Sequence, residues 1–204
     1  MQDSLNIRRR GVVTFDRAAF DEACAALMRL VAQDGMPDAL IGIRTGGLYV
    51  AESMAKATGF TVPVMSLTCR RPSTAAKSKF GMVRKIAAAL PRPVADRLRT
   101  IEHAVLARKR GRSRPEGHGF DQGEIAILED WLREAGPGPS IVVVDDAVDT
   151  GATLSLVLDA VSQRAPGGLI RSAVITVTTP KPWATPRYTL YSRQLCRFPW
   201  SLDA

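Results

Sequence analysis

Residues 141–154 read I-V-V-V-D-D-A-V-D-T-G-A-T-L. Its first four residues are β-branched, which is typical of a central strand that is buried on both faces. Two adjacent acids, Asp145 and Asp146, follow the strand, and a short loop over 147–151 leads into a helix. The stretch therefore predicts a strand–loop–helix unit of an α/β protein, with two carboxylates where the strand ends.

The rest of the chain repeats this alternation of strand and helix. Apolar runs of strand length are separated by segments with helical apolar spacing, which favours a parallel sheet with crossover helices. At 204 residues one domain is expected, spanning 1–204. The expected helices are 16–33, 48–58, 124–134 and 152–164, and the expected strands are 39–43, 62–67, 141–144 and 173–178.

The loop after the two acids has the features of a phosphate site. Ligands of open α/β sheets bind where strands end, and a helix N-terminus offers free N–H groups and a partial positive charge. Gly151 lets the backbone approach a ligand, and Thr150 and Thr153 add hydroxyl donors. The paired acids can hold hydroxyls or a divalent cation, so a phosphorylated sugar is the predicted ligand. The residues expected around it are Asp145, Asp146, Ala147, Val148, Asp149, Thr150, Gly151, Ala152 and Thr153.

This stretch resembles the phosphoribosyl pyrophosphate (PRPP) signature of the type I phosphoribosyltransferases. The resemblance implies a Rossmann-like parallel-sheet core and a small hood built from the C-terminal and N-terminal segments. It also implies that Asp145 and Asp146 bind the ribose hydroxyls and hold Mg²⁺, partly through PRPP and water. The loop would bind the 5′-phosphate. Asp149 would face the nucleobase and take its proton, or alternatively only cap the following helix, and the catalytic set would be Asp145, Asp146 and Asp149.

A second motif lies roughly 100 residues upstream. Residues 41–47, I-G-I-R-T-G-G, end one predicted strand and precede a helix. They resemble the pyrophosphate loop of the same family, in which one peptide bond is cis although no proline follows. By position that bond is Arg44–Thr45, and the pyrophosphate ligands would be Arg44, Thr45, Gly46 and Gly47. The wording is closest to the 6-oxopurine phosphoribosyltransferases and to the regulators of pyrimidine operons that share their fold.

The positive charge is concentrated in one segment. The chain has 28 Lys and Arg against 20 Asp and Glu, a net charge of +8, but residues 70–114 alone carry +12 and the remainder −4. This segment belongs to an insertion, 70–123, at the position of the family's flexible catalytic loop. The insertion is either a helical elaboration with a solvated basic face, a lid for PRPP, a subunit contact or a nucleic-acid site. As a lid it would bring Arg70, Arg71, Lys77 and Lys79 to the pyrophosphate.

The tail, 180–204, is expected to form the hood over the acceptor. Its R-F-P-W sequence at 197–200 resembles the ending of bacterial xanthine-guanine enzymes. The purine branch of the family usually has a Lys near the end of the strand before the hood, but here that strand ends in Thr, and Lys181 lies beyond it. The acceptor therefore stays open. The aromatic residues that are candidates for stacking on a base are Trp183, Tyr188, Tyr191 and Trp200.

Other features bound the class of protein. The longest apolar runs fall well short of the roughly 18 residues that suggest a membrane span. The N-terminus has no apolar stretch of the kind found in signal peptides, and three widely spaced cysteines suit a reducing compartment. We therefore expect a cytoplasmic protein without membrane attachment. We also expect a homo-oligomer.

The leading hypothesis is a Mg²⁺-dependent phosphoribosyltransferase that joins PRPP to a nucleobase-like acceptor, with a purine favoured. One alternative is a PRPP-sensing regulator or RNA-binding protein on the same fold, with 70–114 as the nucleic-acid site. Another is a transferase whose acceptor is not a nucleobase.

Overall fold

A computed structural model describes residues 11–59, 61–70 and 119–201. Within them no helix combines the length and the apolar character that a membrane span requires. In chain order the elements are β1 (Val13–Thr14), α1 (Arg17–Gln33), β2 (Ala39–Ile43), α2 (Gly46–Lys56), β3 (Val64–Leu67), β4 (Cys69–Arg70), β5 (Gly119–Phe120), α3 (Gln122–Ala135), β6 (Ser140–Val148), α4 (Ala152–Arg164), β7 (Leu169–Val177), β8 (Tyr188–Ser192) and β9 (Cys196–Arg197).

The centre of the structure is a five-stranded sheet in the order β3-β2-β6-β7-β8. Every pair of neighbours is parallel, so each carboxyl end lies at the same edge of the sheet. The predicted mixed α/β class with a parallel central sheet is confirmed.

Strand β6 occupies the middle of the sheet and is buried on both faces, as the β-branched run predicts. Val142 and Val144 pack with α1 and α2, next to Phe20, Leu27 and Met54. Ile141 and Val143 pack on the other face, where Leu128 of α3 and Val157 of α4 cover them. Burying a side chain of this size contributes about 1.5–3 kcal/mol, so these two clusters hold the helices against the sheet.

Strand β6 extends beyond the predicted strand end at residue 144. Its ladder with β7 continues through the pairs Asp145–Val174, Ala147–Thr176 and Val148–Val177. The two acids are therefore part of the strand, and the prediction of a loop over 147–151 was wrong at its start. The cause is tertiary pairing: the equally long β7 supplies partners for residues whose own sequence is polar.

The N-terminal and C-terminal segments meet beside the sheet. β1 pairs in parallel with β9, through Val13 with Cys196 and Thr14 with Arg197. Aromatic rings fix this contact: Phe198 stacks on Phe15 at 5.7 Å between centroids and on Trp200 at 5.0 Å. The tail is not wholly hood, because β8 is an edge strand of the main sheet. The sequence pattern also predicts helices over 80–90 and 93–110, and these lie outside the described residues.

Helix α2 begins at Gly46, two residues before the predicted start at 48, because it lies directly on β6. A Cβ atom on Gly47 would lie 2.4 Å from the carbonyl oxygen of Val144 and 2.8 Å from the Cα of Asp145. Both atoms belong to the backbone of a paired central strand, which cannot move aside. Only glycine permits this approach.

We predict that Gly47→Ala lowers the free energy of unfolding by about 2–3 kcal/mol, because overpacking against a rigid backbone exceeds the gain in helix propensity. Urea denaturation monitored by circular dichroism measures the change. Gly119→Ala is the matched control, since a Cβ there meets nothing within 4 Å, and we expect a change below about 0.5 kcal/mol. Equal stabilities of the two variants would contradict the packing argument.

Candidate active site

The two acids of β6 face different parts of one cleft. Asp145 lines a small cavity of about 90 Å³, together with residues of the loop after β6. Asp146 points toward α2, where its carboxylate would lie 2.0 Å from a Cβ placed on Gly46. Side chains alternate along a strand, so the two consecutive acids have different neighbours.

Both carboxylates are partly buried and interact with each other. Burial raises the pKa of Asp145 well above its ordinary value, and the negative charge of Asp146 raises it further. Burial also raises the pKa of Asp146, although hydrogen bonds from Asp145, from backbone N–H groups and from the Trp200 indole partly offset the effect. The pair therefore binds a proton more tightly than two isolated carboxylates do.

The loop after β6 forms the remaining wall of the cavity. Gly151 has a φ of 77° and is the N-cap residue of α4, so the first N–H groups of the helix lie next to the cavity. A backbone conformation with positive φ is one that glycine adopts without strain. The cavity is lined by Asp145, Ala147, Val148, Asp149, Thr150, Gly151, Ala152, Thr153 and Leu154. All the residues that the sequence predicts around the phosphorylated sugar, except Asp146, line this cavity.

The segment after β7 packs on this loop. The backbone N–H of Trp183 donates to the carbonyl of Thr150 at 2.7 Å. A Cβ on Gly151 would lie 2.7 Å from the backbone nitrogen of Ala184. The indole of Trp183 itself is 51% exposed. The predicted phosphate loop and one predicted stacking residue are thus next to each other.

Asp149 sits at the first position beyond β6. Its carboxylate accepts a hydrogen bond from the hydroxyl of Thr178 at 3.1 Å, and the Thr178 N–H donates to the carbonyl of Val148. Thr178 directly follows β7, so Asp149 is oriented by the end of the neighbouring strand. The N-cap residue of α4 is Gly151, two residues later.

The upstream motif joins the same site. The Arg44–Thr45 peptide bond is cis, as predicted from the resemblance. Thr45 is the N-cap residue of α2, so the N–H groups of Gly46 and Gly47 begin a helix pointed at Asp146. Two motifs separated by about 100 residues are therefore in direct contact, through Gly46 and the carboxylate of Asp146.

The other predicted stacking residues lie apart from the cavity. Tyr188 is 8% exposed, and its hydroxyl donates to Asp34 at 2.8 Å, so its ring belongs to the core beneath α1. Tyr191 contacts Phe15 edge to face at 5.9 Å. Trp200 lies 4.9 Å from Tyr49 and lowers the pKa of Asp146, so it supports the acid. The backbone of Arg70 lies in β4. Arg71, Lys77 and Lys79 lie outside the described residues.

Two residues of this region are absent from the sequence-based predictions. Tyr49 is on the first turn of α2 and packs against Trp200. Glu124 is on the first turn of α3 and accepts hydrogen bonds from Arg44 and Ser66. Tyr49 follows the Gly-Gly pair closely enough to have been found. Glu124 is 80 residues from Arg44, and an acid in the first turn of a helix is ordinary.

The acidic pair suits a divalent cation. Two mutually repelling carboxylates with raised pKa values are stabilised when a cation replaces the proton. Among residues 11–59, 61–70 and 119–201, no cluster of three or more His, Cys, Asp or Glu is placed to bind a metal. A site with only two carboxylates fits Mg²⁺, which usually keeps several waters and takes further oxygens from substrate phosphates.

A comparison with known proteins supports the family. Residues 15–202 match the family model of the phosphoribosyl transferase domain, so the chain belongs to this family. The fold is that of the type I phosphoribosyltransferases, with a parallel sheet and the two motifs at its carboxyl edge. Family membership supports phosphoribosyl transfer as the class of reaction.

Solved structures share the fold at low sequence identity. A purine phosphoribosyltransferase from Pyrococcus horikoshii Ot3 is 19% identical, with a TM-score of 0.57 and 92% of each chain covered. The xanthine-guanine-hypoxanthine phosphoribosyltransferase of Helicobacter pylori is 15% identical, with a TM-score of 0.56 and 94% of each chain covered. A hypothetical protein from Neisseria gonorrhoeae with bound ppGpp is 15% identical, with a TM-score of 0.58, covering 96% of this chain and 92% of its own. A search of curated protein sequences gave no significant match.

The raised pKa of Asp145 predicts a trade-off between the site and stability. The folded protein binds this proton more tightly than the unfolded chain, so the stability falls as pH rises from about 3.8 toward the raised value. Asp145→Asn removes this loss. We expect its advantage in the free energy of unfolding over the wild type to be larger at pH 8 than at pH 5.

Urea denaturation at the two pH values, without ligand or Mg²⁺, measures this difference. Asp130→Asn, which changes an exposed acid of α3, is the control, and we expect a smaller difference between the two pH values. An advantage of Asp145→Asn that stays constant or shrinks at pH 8 would contradict the assignment.

Proposed function

We propose that the protein transfers the 5-phosphoribosyl group from PRPP to a nucleobase-like acceptor, favouring a purine, and releases pyrophosphate. The observation that carries the proposal is the contact between Gly46, at the start of α2, and the carboxylate of Asp146 on β6. This contact puts a helix N-terminus suited to pyrophosphate beside two acids suited to ribose hydroxyls. The cavity at the start of α4 supplies the third subsite, for the 5′-phosphate.

In this reaction a nitrogen of the acceptor forms a bond to C1 of the ribose. The bond from C1 to the pyrophosphate oxygen breaks, and its electron pair leaves with the pyrophosphate. Positive charge develops on the ribose in the transition state, so catalysis depends on holding the sugar and neutralising the leaving group. Asp145 and Asp146 hold the sugar, while Arg44 and the N–H groups of Thr45, Gly46 and Gly47 receive the pyrophosphate.

Asp145 and Asp146 are the residues that would hold Mg²⁺, partly through water and PRPP. When bound, the ion would neutralise charge on the departing pyrophosphate. The buried pair favours this role, because the cation replaces a proton that the carboxylates otherwise share.

Asp149 is the proposed acceptor of the proton that leaves the nucleobase nitrogen. The hydrogen bond from Thr178 fixes its carboxylate at the mouth of the cavity, at 3.1 Å from the hydroxyl. A base must be within hydrogen-bond reach of its proton, and a fixed carboxylate meets that requirement better than a mobile one. The alternative is that Asp149 only caps the helix that follows, whose N-cap residue is Gly151.

The proposed acceptor is a purine. The wording of the upstream motif and the placement of Asp149 favour a purine. The strand before the hood ends without the Lys of the purine branch, since Thr178 follows β7 and the exposed Lys181 comes three residues later. We propose that Trp183 stacks on the base, because its backbone is fixed to Thr150 and its ring is exposed.

We further propose that the protein forms a homo-oligomer and is located in the cytoplasm. Cys24, Cys69 and Cys196 all lie within the described residues and form no disulfide bond with one another, which suits a reducing compartment. The second candidate function is that of a PRPP-sensing regulator or RNA-binding protein, and the net charge of +12 on residues 70–114 supports it.

A pyrophosphate-release assay with PRPP and Mg²⁺, across a panel of purine, pyrimidine and unusual bases, tests the proposal. We expect turnover on at least one base, and a loss of about a hundred- to a thousandfold or more in the Asp145→Asn/Asp146→Asn variant. Asp130→Asn on the exposed face of α3 serves as the control and keeps its activity.

The hypothesis of a PRPP-sensing regulator or RNA-binding protein predicts a different result in this assay. It requires binding of PRPP without turnover on any base, together with RNA binding that weakens about 10³–10⁵-fold between about 50 and 200 mM salt if six to ten phosphates are contacted. That combination would overturn the enzymatic proposal.

We further predict that Trp183→Ala raises the KM for the base about 5- to 150-fold and leaves the KM for PRPP within about twofold, because one stacked base contributes about 1–3 kcal/mol. Trp183→Phe keeps most of the affinity. Leu169→Ala, an exposed apolar residue at the start of β7, is the control for lost surface area. Unchanged kinetics in Trp183→Ala would remove this residue from the acceptor site.

A further inference from the structure

Glu124 has no part in the proposed reaction, yet it holds one of the most highly connected carboxylates in the described residues. It is the third residue of α3, and its side chain is 11% exposed. It accepts hydrogen bonds from the hydroxyl of Ser66 at 2.8 Å, from the hydroxyl of Thr68 at 3.1 Å and from the backbone N–H of Thr68. The guanidinium of Arg44 is its fourth partner, at 3.4 Å.

Helix α3 does not need this carboxylate for its own start. The N-cap residue is Asp121, whose side chain accepts hydrogen bonds from the N–H groups of Gly123 at 3.1 Å and Glu124 at 3.3 Å. A largely buried carboxylate is costly unless it is well partnered. All the side-chain partners of Glu124 come from the ends of β2 and β3, so the cost is offset at the carboxyl edge of the sheet.

The contacts of Glu124 also fasten the point where the basic segment joins the sheet. Thr68 immediately precedes β4, and β4 pairs in antiparallel fashion with β5, through Cys69 with Phe120 and Arg70 with Gly119. β5 in turn leads directly into α3. The paired strands β4 and β5 therefore lie directly before and after the segment 71–118 in the chain. Through its hydrogen bonds to Thr68 and Arg44, Glu124 connects this pair of strands to the loop that contains Arg44.

We propose that Glu124 is a positioning residue for pyrophosphate, which restrains the guanidinium of Arg44 for contact with the anion. Arg44 is 55% exposed, and only one of its nitrogens faces Glu124, so other N–H groups of the fork can reach an anion. The backbone N–H of Arg44 donates to the carbonyl of Leu67, which limits the directions open to its side chain. This inference rests on the proposed function of the Arg44 loop, and it adds the residue that orients it.

Binding of inorganic pyrophosphate with Mg²⁺, measured by calorimetry, tests the inference without any need for turnover. Glu124→Gln keeps the size of the side chain and an oxygen that accepts from the hydroxyls of Ser66 and Thr68. It loses the charge that faces Arg44 and the oxygen that accepts from the backbone N–H of Thr68. We expect the Kd for pyrophosphate to rise about tenfold, the order of one lost charge-assisted hydrogen bond. In an active enzyme the KM for PRPP rises similarly, with a smaller change in kcat.

A double-mutant cycle with Arg44→Gln separates positioning from a merely structural role. If Glu124 acts through Arg44, Glu124→Gln has less than about a twofold effect in the Arg44→Gln background. Glu129→Gln, five residues later on α3 and paired at 3.1 Å with Arg164, is the matched control and leaves pyrophosphate binding unchanged. Glu124→Asp is the second variant should Glu124→Gln fail to fold. It is one methylene shorter, and we expect it to weaken binding in the same direction.

Equal effects of Glu124→Gln in the two backgrounds, or an unchanged Kd in folded Glu124→Gln, would overturn the inference. Failure of the wild type to bind pyrophosphate would overturn it as well. Tight pyrophosphate binding that depends on Glu124, without transfer to any base, would refute the proposed acceptor reaction and leave the positioning role supported.

Discussion

The whole site depends on one close approach, that of the first turn of α2 to the end of β6. Two glycines allow it: Gly47 lies on the backbone of Val144, and Gly46 lies on the carboxylate of Asp146. The approach has an electrostatic consequence, because a helix N-terminus with its partial positive charge faces two acids whose pKa values burial raises, and Asp146 raises the pKa of Asp145 further. The proposed anion and cation subsites are thus adjacent, as a ligand that carries both phosphates and a bound cation requires.

Three further residues hold the charged side chains near this contact. Trp200 from the hood supports Asp146, Thr178 from the end of β7 holds Asp149, and Glu124 from α3 holds Arg44. Each supporting residue comes from a different element, and all of them reach the carboxyl edge of the sheet. Rigid support of this kind matters for a reaction whose catalysis depends on fixed charges more than on covalent chemistry.

The sequence predicted the parts of this arrangement that are local. The β-branched run at 141–144, the two adjacent acids and the helix from Ala152 lie within one continuous stretch, and the cis bond at Arg44–Thr45 followed from a resemblance. The extension of β6 to Val148 was missed because it depends on pairing with β7. The roles of Tyr188 and Glu124 were missed for the same reason. Tyr188 is aromatic and near the tail, yet its partner Asp34 is 154 residues away, and no local pattern records such a contact.

The pairing of β1 with β9 has a consequence for the order in which the site is completed during synthesis. The strands and helices that carry the acids and the residues of both proposed anion subsites precede residue 178 in the chain. β1 precedes them as well, but its partner strand is Cys196–Arg197, and the Trp200 ring that supports Asp146 comes later still. A nascent chain therefore carries its acidic pair before β1 can pair with β9 and before the ring that supports Asp146 has been made.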